Sequence, residues 1–190
     1  MVKFNFICSI PEIGLSARLL GEHYPLIENI LLLKAVDSCK ESNDLMINTK
    51  MLNVKPRAVD FQLTKGLSYE DLDNKIEENG KGKILKNIFI DDAELLTADV
   101  CDNLKKICFE RGINVFAYGK RVNSEQILYE GSKRIIELSH EITFHTKDCE
   151  DCGEEIGSYH IEKEKTCKIT DQTFKYFNLC YSCKSKEREL

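Results

Sequence analysis

The chain has no apolar run approaching the roughly 20 residues that cross a bilayer, which excludes a helical membrane span from its own sequence. The opening residues, Met1-Val-Lys-Phe-Asn-Phe, carry no apolar stretch of the signal-peptide kind, so a cytoplasmic protein is expected. Positive charge is not in surplus: the net charge is −5, which argues against the basic face that a broad grip on nucleic acid needs. The mixed C-terminal Lys184-Ser-Lys-Glu-Arg does not restore one, so a nucleic-acid-binding module is disfavoured. There are no internal repeats and no low-complexity linker. What remains is an ordinary globular composition in 190 residues, enough for one sizeable core and a small appended module.

Cysteine is abundant, at nine residues. In a reducing compartment cysteines serve metals more often than disulfides. Four of them form two knuckles, Cys149-Glu-Asp-Cys152 and Cys180-Tyr-Ser-Cys183, 27 residues apart. Each tight turn offers two soft ligands, and four such ligands make a tetrahedral zinc site of the ribbon type. Cys8, Cys39, Cys101, Cys108 and Cys167 are expected to be small buried apolar side chains. With four cysteines filling the site, His140, His145 and His160 are expected at the surface or around the ligands, not among them.

Upstream of the knuckles, apolar strands alternate with helical stretches. Val2–Ser9, Asn29–Lys34, Ile84–Asp91 and Ile113–Tyr118 read as strands. Helices are expected over about Ser16–His23, from the capping residue Ser68 to about Asn79, over Ala93–Arg111 with Gly112 as its stop, and over Ser132–Ile142. That alternation predicts an α/β fold with a parallel sheet flanked by helices. The composition changes at about Lys147, so two domains are expected, residues 1–146 and 147–190.

The strand Ile88-Phe-Ile-Asp91-Asp92 delivers two carboxylates at its C-terminal end, where ligands bind in open α/β sheets. Such a pair can hold Mg²⁺ and position a nucleophile, as a Walker B element does; acidic residues there also serve as plain helix caps. Asp91-Asp92-Ala-Glu94-Leu-Leu resembles the Asp-Glu-Ala-Gln-Phe element of type II thymidine kinases. Phe116-Ala-Tyr-Gly119-Lys-Arg121 and Leu128-Tyr-Glu-Gly131-Ser132 resemble that family's Tyr-Gly-Leu-Arg-Thr-Asp-Phe and Leu-Phe-x-Gly-Ser segments at the same spacing. Leu33-Lys34-Ala-Val-Asp37 is similar to its Lys-Pro-x-x-Asp. The resemblance runs in order along nearly the whole chain and is strongest to bacterial and phage members.

It implies a P-loop α/β core, a C-terminal zinc ribbon bearing a lasso loop over thymidine, transfer of the ATP γ-phosphoryl to the thymidine 5′-hydroxyl, and a homotetramer. It also implies roles: Ser9, Gly14, Leu15, Ser16 and Asp91 stand at the nucleotide site, Asp92 at the base, Tyr176 in the lasso, and Cys149, Cys152, Cys180 and Cys183 on zinc. Tyr176 also reads as a core aromatic of the ribbon.

The departures are concentrated where charge is handled. The phosphate loop should read G-x-x-x-x-G-K-[ST]. Here it reads Ser9-Ile-Pro-Glu-Ile-Gly14-Leu15-Ser16. Leu15 replaces the lysine, Ser9 the first glycine, Pro11 removes an N–H, and Glu12 brings a negative charge. Lys120 and Lys34 are the nearby candidates for a substitute cation. Asp92 is one methylene shorter than the family's Glu. Asn123-Ser124-Glu125 stands for its Asp-Phe-Arg, and Asp171-Gln172 for a Gly-Gly in the lasso. The segment Ser38–Thr64, with Asn48-Thr-Lys50, is the least family-like and carries no assigned role.

The reading is a degenerate thymidine-kinase-like protein whose phosphotransfer is lost or strongly reduced. It would bind a nucleoside, a nucleotide or a protein partner and keep a structural Zn²⁺. The alternative is an active kinase using Mg²⁺ and ATP.

Overall fold

The structure is a computed structural model. It describes residues 2–9, 14–23, 29–38, 43, 45–47, 57–123, 125–146, 148–153, 159–164, 174–180 and 182–183, with backbone only at 22, 23, 159–164 and 174–179.

Six strands form one parallel sheet: β1 (Phe4–Ser9), β2 (Ile30–Ala35), β5 (Phe61–Leu63), β6 (Asn87–Asp91), β7 (Asn114–Lys120) and β8 (Glu141–His145). Their order across the sheet is β5-β2-β6-β7-β1-β8. The near-continuous apolar runs of β1, β2 and β6 are what a sheet covered on both faces requires. One face packs Phe6, Cys8, Leu31, Leu33, Ile88, Ile90, Val115 and Ala117 against α2 (Tyr69–Gly80), α3 (Ala98–Arg111) and α4 (Glu130–Leu138). The other packs Ile7, Ile30, Leu32, Phe89 and Tyr118 against Leu19 and Leu20 of α1 (Leu15–His23). The expected class, an α/β parallel sheet flanked by helices, is what forms.

Local chemistry sets the helix limits. The Ser68 hydroxyl accepts from the Asp71 N–H and opens α2. Gly112 closes α3 at φ 72°, its N–H bonding back to Cys108 and Phe109 carbonyls.

Two expected helices are corrected. The stretch read as one helix over Ala93–Arg111 is a single 3-10 turn, Ala93–Leu95, then an extended Leu96, then α3. Asp92 at φ 54° and Leu96 at ψ 150° cannot continue a helix. The helix read as Ser132–Ile142 begins at Glu130 and ends at Leu138, and Glu141-Ile-Thr-Phe-His is strand β8. Edge pairing to β1 supplies the hydrogen bonds that those β-branched and aromatic residues favour. The segment with no assigned role contributes a two-residue ribbon, β3 (Met46–Ile47) with β4 (Arg57–Ala58), and β5.

The chain leaves β1 over one face through α1, and leaves β6 and β7 over the other through α3 and α4. The C-terminal ends of β1, β6 and β7, where doubly wound sheets bind ligands in a crevice, are therefore the candidate site. Beyond the sheet, β9 (Tyr159–Glu164) and β10 (Phe174–Leu179) pair antiparallel between the two cysteine knuckles. No described helix is long and apolar enough to cross a membrane.

Candidate functional site

The crevice assembles residues far apart in sequence. Gly14, at φ 76°, turns the chain into α1, and its carbonyl accepts from the Ala17 and Arg18 N–H groups. That places Ser16 in the first helical turn, where its Oγ donates to Asp91 Oδ1 over 3.0 Å. The bond joins the segment after β1 to the end of β6. A hydroxyl and a carboxylate so placed are oxygen donors of the kind that divalent cations take.

Asp91 is only 4% exposed. Burial, aided by the Asp92 charge and opposed by the Ser16 hydroxyl, pushes its carboxyl up to about 7. Asp92 follows in the left-handed region at φ 54°, a conformation that costs a non-glycine residue roughly 1–3 kcal/mol.

Leu15, expected at the position of a phosphate-binding lysine, opens α1. Its side chain packs against the apolar cluster beneath α1. Ser9 is buried at the end of β1, and its carbonyl accepts from the Arg121 N–H. Pro11 and Glu12 lie outside the described residues.

Glu94 is a buried carboxylate whose role the sequence reading missed. Its Oε2 accepts from the Lys120 N–H at 3.1 Å, and its Oε1 lies 3.3 Å from Lys120 Nζ. Burial raises its carboxyl above the usual range, against the lowering effect of Lys120. Two glycines allow the approach. A Cβ on Gly119 would sit 2.7 Å from Glu94 Oε2, and one on Gly131 would sit 2.6 Å from the Leu96 carbonyl. The available signal was a glutamate flanked by Ala93 and Leu95, with a glycine just before a lysine on the neighbouring strand.

The second site is the cysteine cluster. The Sγ atoms of Cys149, Cys152, Cys180 and Cys183 all lie within 4.8 Å of one another. Cys152 and Cys180 are 3.7 Å apart, close to the edge of a tetrahedron with metal–sulfur bonds of about 2.3 Å. The Cys180 N–H donates to Cys149 Sγ and the Cys183 N–H to Cys180 Sγ, so backbone donors turn towards sulfur in both knuckles. Burial opposes ionisation of Cys149, but N–H groups of Cys152, Cys180 and Asp151 outweigh it and bring the thiol down to about 6. Four converging sulfurs fit a metal ion, and Zn²⁺ there would supply cross-linking and not chemistry. Cys8, Cys101 and Cys108 are buried apart from them, as expected of core residues; Cys39 and Cys167 lie outside the described residues. His140 uses Nδ1 to accept the Phe4 N–H and takes no part in the cluster.

A profile of the family described as thymidine kinase matches residues 24–184. The chain belongs to the thymidine kinase family. A thymidine kinase of Encephalitozoon cuniculi (strain GB-M1) is 24% identical over 164 residues, covering 83% of this chain and 71% of that protein. The profile match takes in the acidic turn, the β7 segment and all four cysteines, and it begins beyond Ser16.

The structure brings together Ser16 and Asp91, with Asp92 and Glu94 following in the same turn and Ser9 and Lys120 paired in register on β1 and β7. Tyr176 lies on β10 in register with Glu162, where only the backbone is described.

Proposed function

We propose that the chain is a degenerate member of its family, which binds a nucleoside or nucleotide in the crevice and transfers phosphate poorly or not at all. The observation that carries this reading is Leu15, a half-buried apolar side chain packed against the cluster beneath α1, at the position that the resemblance gives to the phosphate-loop lysine. Phosphoryl transfer depends on positioning and on neutralising charge at the β- and γ-phosphates. Losing that cation removes several kcal/mol of transition-state stabilisation, roughly a thousandfold in rate. The adjacent carboxyl groups of Asp91 and Asp92 stand at the same strand end, and a triphosphate meets them without the lysine.

In this reading the division is a kinase-like domain over residues 1–146 and a zinc-bearing lasso domain over 147–190. Zn²⁺ on the four cysteines is structural, and Tyr176 is the lasso residue assigned to nucleoside binding. The resemblance also favours a homotetramer in the cytoplasm.

A second reading, an active kinase, is favoured by one contact. Ser16 and Asp91 would hold Mg²⁺, and Asp92, though short, would act as base towards the thymidine 5′-hydroxyl. An assay with Mg·ATP and thymidine separates the two. The degenerate reading expects turnover at least about a thousandfold below the 1–100 s⁻¹ usual for kinases. Turnover within that range overturns it, and failure to bind ATP in calorimetry overturns the active reading.

A further inference from the structure

A phosphate-bearing ligand in this crevice needs a cation, and residue 15 does not provide one. Of the cations near the crevice, Lys34 turns its Nζ to the Met46 carbonyl at 3.2 Å, beyond β2. Arg121 lays its guanidinium over the Phe144 ring of the edge strand, 4.6 Å from the centroid. Lys120 differs from both. It is the last residue of β7, in register with Ser9 at the end of β1, and its side chain is 43% exposed.

Its partner, Glu94, is 3% exposed and cannot follow the ammonium outwards. One carboxylate oxygen is tied to the Lys120 N–H, the other faces Nζ, and Gly119 leaves the room that both need. An ammonium has three donors, and this geometry occupies one with Glu94. Burial works to lower the Lys120 ammonium, but the Glu94 carboxylate holds it above its ordinary range, with a further contribution from Asp92. Lys120 is therefore a charged group in the electrostatic field of the acidic turn, on the strand next to the one that carries Asp91.

We propose that Lys120, positioned by Glu94, is the anion receptor of the crevice and binds the phosphate of a nucleotide, the task that Leu15 has left unfilled. The inference rests on the reading of the crevice as a nucleoside- or nucleotide-binding site and narrows it to phosphorylated nucleosides. A lone ammonium on a phosphate gives a charge-assisted contact worth about tenfold or more in affinity, and salt weakens it.

The test compares thymidine with its 5′-monophosphate, which share base and sugar and differ in charge. Inorganic phosphate is the third probe. Calorimetry on the full chain is expected to show the monophosphate bound about tenfold more tightly than thymidine, with the ratio shrinking as salt is raised. Lys120→Gln should bring the ratio close to one, and Lys120→Arg should keep most of it, with thermal melts showing that both variants fold. A ratio untouched by Lys120→Gln overturns the proposal. So does a loss that Lys120→Arg fails to rescue, since that marks a packing role. Inorganic phosphate bound as tightly as the monophosphate overturns the nucleotide assignment. Wild-type protein that binds thymidine without preferring the monophosphate overturns this inference and leaves the crevice reading standing. Wild-type protein that binds neither overturns both.

Discussion

At the scale of single residues, the crevice is a place where folding works against ionisation. Asp91 has an ordinary carboxylate value when unfolded and is raised to about 7 in the fold, mainly by burial. A raised carboxylate binds its proton more tightly in the native state, so the native state gains from it below about pH 4. That gain is lost as pH rises through about 7. In magnesium-free buffer, chemical denaturation should therefore show stability falling between about pH 4 and pH 7. Asp91→Asn keeps an oxygen to accept from Ser16 and removes the titration. It should flatten that fall and leave the variant more stable at pH 8, by an amount on the order of a few kcal/mol. A wild-type profile parallel to that of the variant would show that Asp91 is ionised at no cost. Leu15→Lys tests the opposite balance. The substitution removes an apolar contact beneath α1 and should cost about 1 kcal/mol of stability in urea melts, while raising affinity for Mg·ATP. If ATP affinity stays where it was, Pro11, Glu12 or the short Asp92 also limits the site.

At the scale of elements, the acidic turn and the start of α4 are packed backbone to backbone. A Cβ at Gly131 would lie 2.6 Å, 2.8 Å and 2.9 Å from the carbonyl oxygens of Leu96, Ala93 and Glu94. Main-chain atoms do not step aside as a flexible side chain does. Gly131→Ala should cost about 1–3 kcal/mol, read as a lower urea midpoint. Gly21→Ala in α1 is the contrast: a Cβ there would meet nothing within 4 Å, so the substitution should gain up to about 1 kcal/mol from helix propensity. The same packing explains what was legible in the sequence. Strands β2 and β6 were readable as apolar runs because they are buried on both faces, and β1 was readable from its alternation. The capping Ser68 and the stop at Gly112 were readable because their chemistry is local. The break at Leu96 was not, because the docked Gly131 that meets its carbonyl lies 35 residues downstream. Strand β8 was missed because its residues are largely exposed on the sheet edge, so no burial pattern separates them from the end of α4. The knuckles were visible as two short local motifs, whereas the Ser16–Asp91 and Glu94–Lys120 pairs exist only once β1, β6 and β7 are neighbours.

At the scale of the whole molecule, the question is how far the cysteine cluster and the sheet stand or fall together. The sheet has its own apolar cores on both faces, and neither includes a residue of the cluster. Among the described residues, Cys149 and Cys180 instead pack with each other and with Cys183. A metal ion would couple the two knuckles to each other, because its ligands are bound only when brought together. Purified protein should therefore carry one zinc per chain by elemental analysis. Removing it with a chelator at neutral pH should abolish amide protection around Cys149, Cys152 and Cys180, while amides of β1, β2, β6 and β7 stay protected. Cys149→Ser with Cys183→Ser should reproduce that pattern without chelator. Protein that carries no metal would remove zinc from the account. Loss of protection in the sheet on the same timescale as in the knuckles would show one cooperative unit, and would remove the division at residue 147. If the sheet survives and the monophosphate still binds, the charge that receives the ligand belongs to the sheet's own edge. If binding is lost while the sheet survives, the zinc-bearing segment completes the site, as a closing lasso would require.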